Sequence, residues 1–299
     1  MHTFRLKRLA VMGCALLVVA GCNRATTEIP NSSARRYDAR GIVRAVAPDR
    51  RSIDVEHEDI RGFMPSMTMP FSVRDSKQIA GMRSGDAISF RLAVTDDDSW
   101  IDQIRKINAD EVRLPAPTAT TRSTIDDSAR LREGEMMPPF ELTDQNGERI
   151  TLETFRGHPF VLTFIFTRCP IPNFCPLMSK NFAVLQNAIK NGSGTLAQTR
   201  LLSISFDPDF DTPQILKSYA EHEQADWKIW AFATGEKSKI DNLTRAFSVF
   251  VQAEAGTISH GLGTALIGED GKIARIWRGN GWSPSEVIGE IEGNKQPAK

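Results

Sequence analysis

Two continuous apolar runs constrain the fold of this chain more than any other feature. PFVLTFIF (159–166) and RLLSISF (200–206) carry apolar residues at nearly every position, a pattern typical of strands that are buried on both faces. Three amphipathic patterns typical of helices follow them or lie between them: MSKNFAVLQNAIK, TPQILKSYAEHE and KSKIDNLTRAF. Because strands alternate with helices, we predict an α/β domain with a mixed sheet over residues 134–299.

The preceding part of the chain has a different pattern. Residues 37–110 contain short alternating segments without a helical stretch between them, which predicts a small all-β domain, an OB-like barrel. The following residues, 111–133, are rich in Pro, Thr and Ser and are interpreted as a linker. A flexible linker of roughly 20 residues spans about 25 Å.

The N-terminus has the pattern of an export signal. Three basic residues precede a short apolar run that ends in VAGC, and this run is too short to cross a bilayer. Residues 1–21 are therefore predicted to be a signal peptide, and residues 22–36 a polar tether. VAGC resembles a bacterial lipobox, which implies that Cys22 carries lipid and anchors an exported protein to a membrane, facing the periplasm. The alternative is an ordinary secretory signal with an incidental cysteine.

Charge and hydropathy exclude two function classes. The chain has 37 basic and 37 acidic residues, and loss of residues 1–21 would remove three of the basic ones. No basic stripe is present, so we predict that the protein does not bind nucleic acid. No second apolar run is long enough for a transmembrane helix.

The stretch FTRCPIPNFCP (166–176) contains two of the four cysteines, Cys169 and Cys175. On a regular helix, residues six positions apart lie about 9 Å apart along the axis, but the three prolines disfavour a helix here. We therefore predict a loop that brings both thiols together, with Cys175 as the N-cap of the next helix, where the helix N-terminus lowers its pKa. In an oxidising compartment a structural disulfide is the simplest reading, so the pattern leaves open whether the thiols bind a metal or each other.

This strand–loop–helix unit resembles the thioredoxin superfamily, and within it the Sco (SCO/SenC) proteins. The resemblance covers residues 134–293 and rests on FRGHPFVLTFIFTRCPIPNFCPLM and SISFDPDFDTP. It implies a thioredoxin-like fold, copper binding and a role in building the CuA centre of cytochrome c oxidase. The family motif has three residues between its cysteines, whereas this chain has five. The resemblance also implies a histidine as third ligand, here His260, preceded by Ser259 where the family often has aspartate.

Without the family resemblance, the residues alone support His260 as a ligand less strongly. His158 and His222 lie in polar surroundings and are interpreted as surface residues, whereas His260 lies in the glycine-flanked segment AGTISHGLG. Two thiolates and an imidazole suit Cu(I) or Cu(II) and also accept Zn(II). The alternative is a loop histidine beside a structural disulfide. Asp207 and Asp211 are interpreted as structural residues, with Asp211 and Thr212 capping the helix that starts at Pro213.

A second candidate site lies in the all-β domain. His57 shares one strand face with Ile53 and Val55, and Met67 and Met69 share a face of the next strand. Two thioethers and an imidazole form a soft site suited to Cu(I) or Ag(I). Methionines on a strand face are more often core residues. On spacing alone, a metal site is therefore less favoured here than a core role.

The segment HEDIRGFMPSMTMPF and the F-x-V-x-D run within it and after it resemble the CusF-type periplasmic copper-binding domain, a small β-barrel. The resemblance spans residues 37–107 and implies that His57, Met67 and Met69 bind copper. The copper-capping tryptophan of that family is replaced by Met64, which either adds a third sulfur or packs over the site.

Together, the two domains predict a copper chaperone rather than an enzyme. Copper is expected to bind the N-terminal domain first and to cross the flexible linker to the thiol site, from which it is delivered to the CuA subunit of the oxidase. One alternative is a specific thiol-disulfide reductase for the CuA apoprotein, with Cys169 or Cys175 as the catalytic nucleophile. This chain has no proline between Pro213 and Pro284. It therefore lacks the cis-proline of general disulfide catalysts, which counts against that broader activity. The other alternative is a periplasmic copper-sequestration protein.

Overall fold

The structure is a computed structural model that describes residues 34–115, 130–254 and 257–293. Cys22, the signal peptide and most of the tether lie outside the described residues, as does the central part of the linker. Among the helices within the described ranges, none is both long enough and apolar enough to cross a bilayer.

The N-terminal domain is an antiparallel five-stranded sheet, with strand order β3-β2-β1-β4-β5. A parallel bridge between Val73 and Ile101 joins the end of β3 to β5, so the outer strands meet and the sheet curls into a small barrel. The predicted all-β barrel is therefore confirmed. The strands are β1 (Arg35–Val46), β2 (Ser52–His57), β3 (Met67–Ser72), β4 (Ala87–Val94) and β5 (Ser99–Lys106).

The second domain contains a mixed seven-stranded sheet, with strand order β14-β13-β8-β9-β10-β6-β7. The central strands β8, β9 and β10 are parallel, and the outer ones are antiparallel to their neighbours. These strands are β6 (Glu141–Asp144), β7 (Arg149–Thr151), β8 (Phe160–Ile165), β9 (Arg200–Ser205), β10 (Trp230–Thr234), β13 (Gly263–Ile267) and β14 (Ile273–Arg278). A separate hairpin consists of β11 (Val251–Glu254) and β12 (Thr257–His260).

Five helices accompany this sheet: α1 (Cys175–Asn191), α2 (Gly194–Gln198), α3 (Pro213–His222), α4 (Lys237–Ala246) and α5 (Pro284–Ile291). Every residue of β8 is buried, as a strand covered on both faces requires. The predicted thioredoxin-like α/β fold, a mixed sheet with flanking helices, is confirmed.

Strand order brings distant segments of this domain to one edge of the sheet. β8 ends at Ile165 and continues through the cysteine loop into α1. β13 runs antiparallel to β8, with Thr264 opposite Thr163. The residues just before β13, including His260, therefore lie at the edge where β8 ends. The hairpin strand β12 also lies beside β3 of the N-terminal domain.

Candidate metal centre

The cysteine loop and the end of β12 bring three donor atoms together. The two Sγ atoms of Cys169 and Cys175 and a ring nitrogen of His260 all lie within 4.8 Å of one another. Two ligands on opposite sides of one ion, each about 2.3 Å away, lie about 4.6 Å apart, so a small inward movement would place all three on one metal ion. Both cysteines are free thiols rather than a disulfide.

The start of helix α1 differs by one residue from the prediction. Cys175 is the first residue of the helix, and Phe174 rather than Cys175 is its N-cap. The Phe174 amide donates to the carbonyl oxygen of Ile171 (3.0 Å), and the Met178 amide donates to that of Phe174 (3.0 Å). The loop therefore makes a tight turn directly before the helix, and this turn buries the Cys175 side chain.

The two thiols have opposite pKa shifts. Burial raises the pKa of Cys169, but hydrogen bonds with Cys175 and His260 outweigh that effect and hold the pKa well below its usual range. Burial, together with the negative charge of the adjacent Cys169, raises the pKa of Cys175 well above its usual range. The prediction that the helix N-terminus lowers the pKa of Cys175 was wrong, because desolvation and the neighbouring Cys169 outweigh the helix dipole.

A hydrogen bond fixes the tautomer of His260. Its Nδ1 lies 2.9 Å from the carbonyl oxygen of Gly261, and since a carbonyl only accepts, Nδ1 carries the proton. This leaves Nε2 as the ring nitrogen that can bind a metal. Three phenylalanine rings surround the imidazole, with centroids 4.7–5.9 Å away: Phe166, Phe174 and Phe206.

Two of the three aspartates of DPDFDTP, Asp207 and Asp211, support the residues that precede Cys169. Asp211 accepts from the Thr167 amide (3.1 Å), the Thr167 hydroxyl (2.5 Å) and the Ser205 hydroxyl (2.5 Å). Asp207 forms an ion pair with Arg168 at 2.6 Å. Of the two residues expected to cap α3, Thr212 is the N-cap and Asp211 is not. A carboxylate that binds a segment more than 40 residues away leaves no signal in the local pattern.

In the N-terminal domain, His57 lies directly opposite Met67 in the pairing of β2 with β3, and Met69 lies opposite Val55. The His57 side chain is fully buried, and its Nδ1 donates to the carbonyl oxygen of Glu58 (2.6 Å). Its Nε2 is buried and has no hydrogen-bond partner among the described residues. Burial lowers the pKa of His57 to about 4, so the ring is neutral near pH 7. A buried nitrogen with a free lone pair, beside thioether sulfurs, fits a soft metal ion.

Close approach of two strands helps to position this histidine. Gly41 of β1 pairs with His57 of β2. A Cβ at position 41 would lie 2.5 Å from the carbonyl oxygen of Glu56, so only glycine allows the two strands to pair closely here. The ring of Phe71 packs edge-on against the His57 ring at 5.5 Å.

The two candidate sites face the same small cavity. Met64, Met67 and Met69 line one side of it, and Cys169 and His260 line the other. Its volume is about 20 Å³, which is room for about one water molecule. His57 and Cys175 are fully buried and do not line this cavity. This arrangement was not predicted from the sequence, because the flexible linker was expected to separate the two sites.

Comparisons with known proteins show which families the two domains resemble. The family model SCO1/SenC matches residues 128–295, and the model of the copper-binding periplasmic protein CusF matches residues 36–106. A relative described as a SCO1 protein homolog from Bacillus subtilis is 29% identical over 159 residues, which cover 52% of this chain and 80% of the relative.

Solved structures of Sco proteins resemble the second domain. Arabidopsis thaliana ScoI with copper bound is 24% identical over 53% of this chain and 99% of its own length, with a TM-score of 0.46. BsSco, described as a member of the Sco family of cytochrome c oxidase assembly proteins, is 28% identical over 55% of this chain and 95% of its own length, with a TM-score of 0.47.

The SCO1/SenC model alone covers more than half of the chain, and the CusF model covers the barrel that precedes it. Both matched regions contain the soft donor atoms described above, and both point to copper as the metal. The chain belongs to the SCO1/SenC family and carries a CusF-type copper-binding domain at its N-terminal end.

Proposed function

We propose that this protein is a metallochaperone that captures Cu(I) in its N-terminal domain and delivers copper to the CuA centre during cytochrome c oxidase assembly. The observation that carries the proposal is the convergence of two free thiols and an imidazole nitrogen within 4.8 Å. This donor set suits copper, and the family is linked to oxidase assembly by its described members.

The ligands of the two sites favour movement of copper in one direction. His57, Met67 and Met69, with Met64 either as a third sulfur donor or as a cover, offer neutral donors that bind Cu(I) reversibly. Cys169, Cys175 and His260 offer anionic sulfur, and the lowered pKa of Cys169 favours loss of its thiol proton when the metal binds. Copper therefore gains affinity when it moves from the barrel to the thiol site.

The partner we propose is the CuA subunit of the oxidase, and the proposed location is the periplasmic face of a membrane. Lipid on Cys22 would hold the chain there, and the CusF model that matches the barrel describes a periplasmic protein. Neither domain carries a feature suited to nucleic acid.

A second candidate function is reduction of the cysteines of the CuA apoprotein. The pair has the arrangement of a redox dithiol, with an acidic, partly exposed Cys169 and a buried Cys175 of raised pKa. Cys169 would attack the client disulfide and Cys175 would resolve the mixed disulfide. Substitution His260→Ala separates the two functions, because it removes a copper ligand but neither thiol.

The test of the proposal is an anaerobic Cu(I) titration of reduced protein that starts after Cys22, against a competing chelator. We expect two bound copper ions per chain, the tighter of which is lost in a Cys169→Ala/Cys175→Ala variant. Delivery is then measured as the appearance of the CuA absorption spectrum in an apo CuA subunit. Copper binding that does not change in the double variant contradicts the thiol site. Copper binding without delivery favours sequestration.

A further inference from the structure

We propose that the N-terminal domain passes Cu(I) to the thiol site by direct ligand exchange inside the cavity between the two domains, and that Asn173 holds the domains together for this step. The inference rests on the proposed function, because both sites must bind copper. It goes further than the proposed function, because copper passes between two docked domains rather than between domains that move freely at the ends of a flexible linker.

The cavity has donor atoms from both domains on its sides. Met67 and Met69 are nearly buried in the barrel, and Cys169 and His260 lie across from them. Because the cavity accommodates about one water molecule, an ion of similar size placed in it contacts both sides. The other lining side chains are apolar, and Met64 contributes the one further sulfur among them.

Asn173 connects the domains from within the cysteine loop itself. Its Oδ1 accepts from the Ser99 hydroxyl (2.6 Å), and its Nδ2 donates to the Ser99 carbonyl oxygen (3.2 Å) and to the Ser72 hydroxyl (3.4 Å). Ser72 ends β3, the strand that carries Met67 and Met69. The same hydrogen bonds therefore place the methionine strand over the cysteine loop.

The backbone of Asn173 is also held in place. The Asn280 side chain donates to its carbonyl oxygen at 2.6 Å, so the loop position is set from the second domain and the side chain is free to bind the first. Ser99 is buried, so removal of its hydrogen-bond partner would leave a buried polar group unsatisfied. Five residues between the cysteines, rather than the three typical of the family, provide the length of loop in which Asn173 lies.

A second contact between the domains is weaker. Lys180 of α1 forms an ion pair with Asp97, but both side chains are largely exposed. Exposed pairs contribute little to stability and are screened by salt. Asn173 is therefore the contact that we expect to determine docking.

The transfer step needs no oxidant or reductant. The bonds from copper to His57 Nε2 and to the Met67 and Met69 sulfurs break as bonds form to Cys169 Sγ and His260 Nε2, and copper remains Cu(I) throughout. Any proton on His260 Nε2 and the thiol proton of Cys175 pass to water as these two atoms bind copper. The ion is bound to protein atoms at each stage, so it does not enter bulk solvent.

The experiment measures how fast the thiol site of the full chain takes up copper supplied as the Cu(I)–bicinchoninate complex, using the thiolate-to-copper absorption in the ultraviolet. The variants are Met67→Leu/Met69→Leu, Asn173→Ala and the combination of both. Asn191→Ala, the same substitution near the other end of α1, is the matched control. Small-angle scattering of the apo proteins reports docking independently of copper.

We expect each of the first two variants to slow uptake by about tenfold or more, because a docked donor acts at an effective concentration of order mM. The combination should be no slower than either one, because both remove the same path. Final affinity of the thiol site should be unchanged, and Asn173→Ala should raise the radius of gyration. If Asn173→Ala does not fold, Ser99→Ala removes the same side-chain bond from the other domain.

Three results would overturn the inference: uptake rates equal to that of the parent, independent slowing that multiplies in the combination, or separated domains in the parent protein. A chain whose thiols take up no copper in any variant is recognised by the absent ultraviolet band. That outcome refutes the proposed function itself, whereas a normal final band with unchanged rates refutes only the direct transfer.

Discussion

His57 and His260, one in each domain, hold their imidazole rings by the same hydrogen bond. In each case Nδ1 donates to the carbonyl oxygen of the following residue, Glu58 at 2.6 Å and Gly261 at 2.9 Å. In each ring Nδ1 thereby carries a proton, and Nε2 is the nitrogen that can bind a metal. The two domains, although unrelated in fold, orient their histidines by the same contact.

The first prediction concerns these two histidines. Substitution His57→Leu should abolish the weaker copper site and leave the thiol site unchanged, because the ring is the only nitrogen donor proposed for the barrel. Substitution His260→Ala should leave copper on the two sulfurs but weaken its binding by at least about tenfold, or 1.4 kcal/mol. Competition titrations of each variant measure both effects. Loss of both sites in either single variant would contradict separate ligand sets.

The second prediction concerns stability and pH in the apo protein. The pKa of His57 is about 4 in the folded chain against about 6.5 when unfolded, so between these values the unfolded state binds more protons. The free energy of unfolding should therefore be highest above pH 6.5, fall as the pH drops from 6.5 to 4, and lose about 3 kcal/mol from this group. Urea unfolding of chelator-treated protein measures the slope.

The control for the pH prediction is His57→Leu, which removes the titrating group but keeps an apolar side chain in the buried position. The difference in slope between the parent and this variant isolates the contribution of His57 from those of the carboxylates. An identical slope in both proteins would show that His57 keeps an ordinary pKa in the folded state.

The third prediction concerns thiol reactivity. Near pH 7, limiting iodoacetamide should alkylate Cys169 first, because its pKa is lowered and its side chain is partly exposed. Cys175 is fully buried, and its pKa is raised by burial and by the Cys169 thiolate. Peptide mass spectrometry of briefly labelled, copper-free protein identifies the modified residue. Preferential labelling of Cys175 would reverse our assignment of the thiolate.

The fourth prediction concerns the support of the cysteine loop. Substitution Asp211→Ala leaves the Thr167 amide and two hydroxyl groups without their acceptor and should cost about 3 kcal/mol of unfolding free energy. Asp211→Asn keeps one acceptor oxygen and should cost less. Since Thr167 lies two residues before Cys169, copper affinity should fall in the same order. Equal stability of both variants and the parent would show that Asp211 does not hold the loop.

Much of the fold could be predicted because the patterns are local. Runs of apolar residues identified β8 and β9, and alternation identified the barrel strands. Prolines identified the loop between the cysteines, since each acts through its own ring and its immediate neighbour. The candidate ligands could likewise be named from residue type and spacing. The resemblance to two copper-binding families indicated that the metal is copper.

Other features of the sites depend on contacts between residues far apart in the chain. Asn173 and Ser99 are 74 residues apart, and nothing near either one indicates the other. The pKa values of the two cysteines could not be ordered from the helix position alone, because burial and the neighbouring thiolate act only once the chain is folded.

The sequence by itself determined the two domains, the soft donor residues in each and the loop that keeps both thiols from lying on one continuous helix, because propensity and periodicity act over a few residues. Only the tertiary structure decided that the methionines of the barrel share one cavity with Cys169 and His260 of the second domain, and that the pKa of Cys169 is lowered while that of Cys175 is raised. Those properties arise from packing and from the low dielectric of a buried site, which exist only after distant segments have come together.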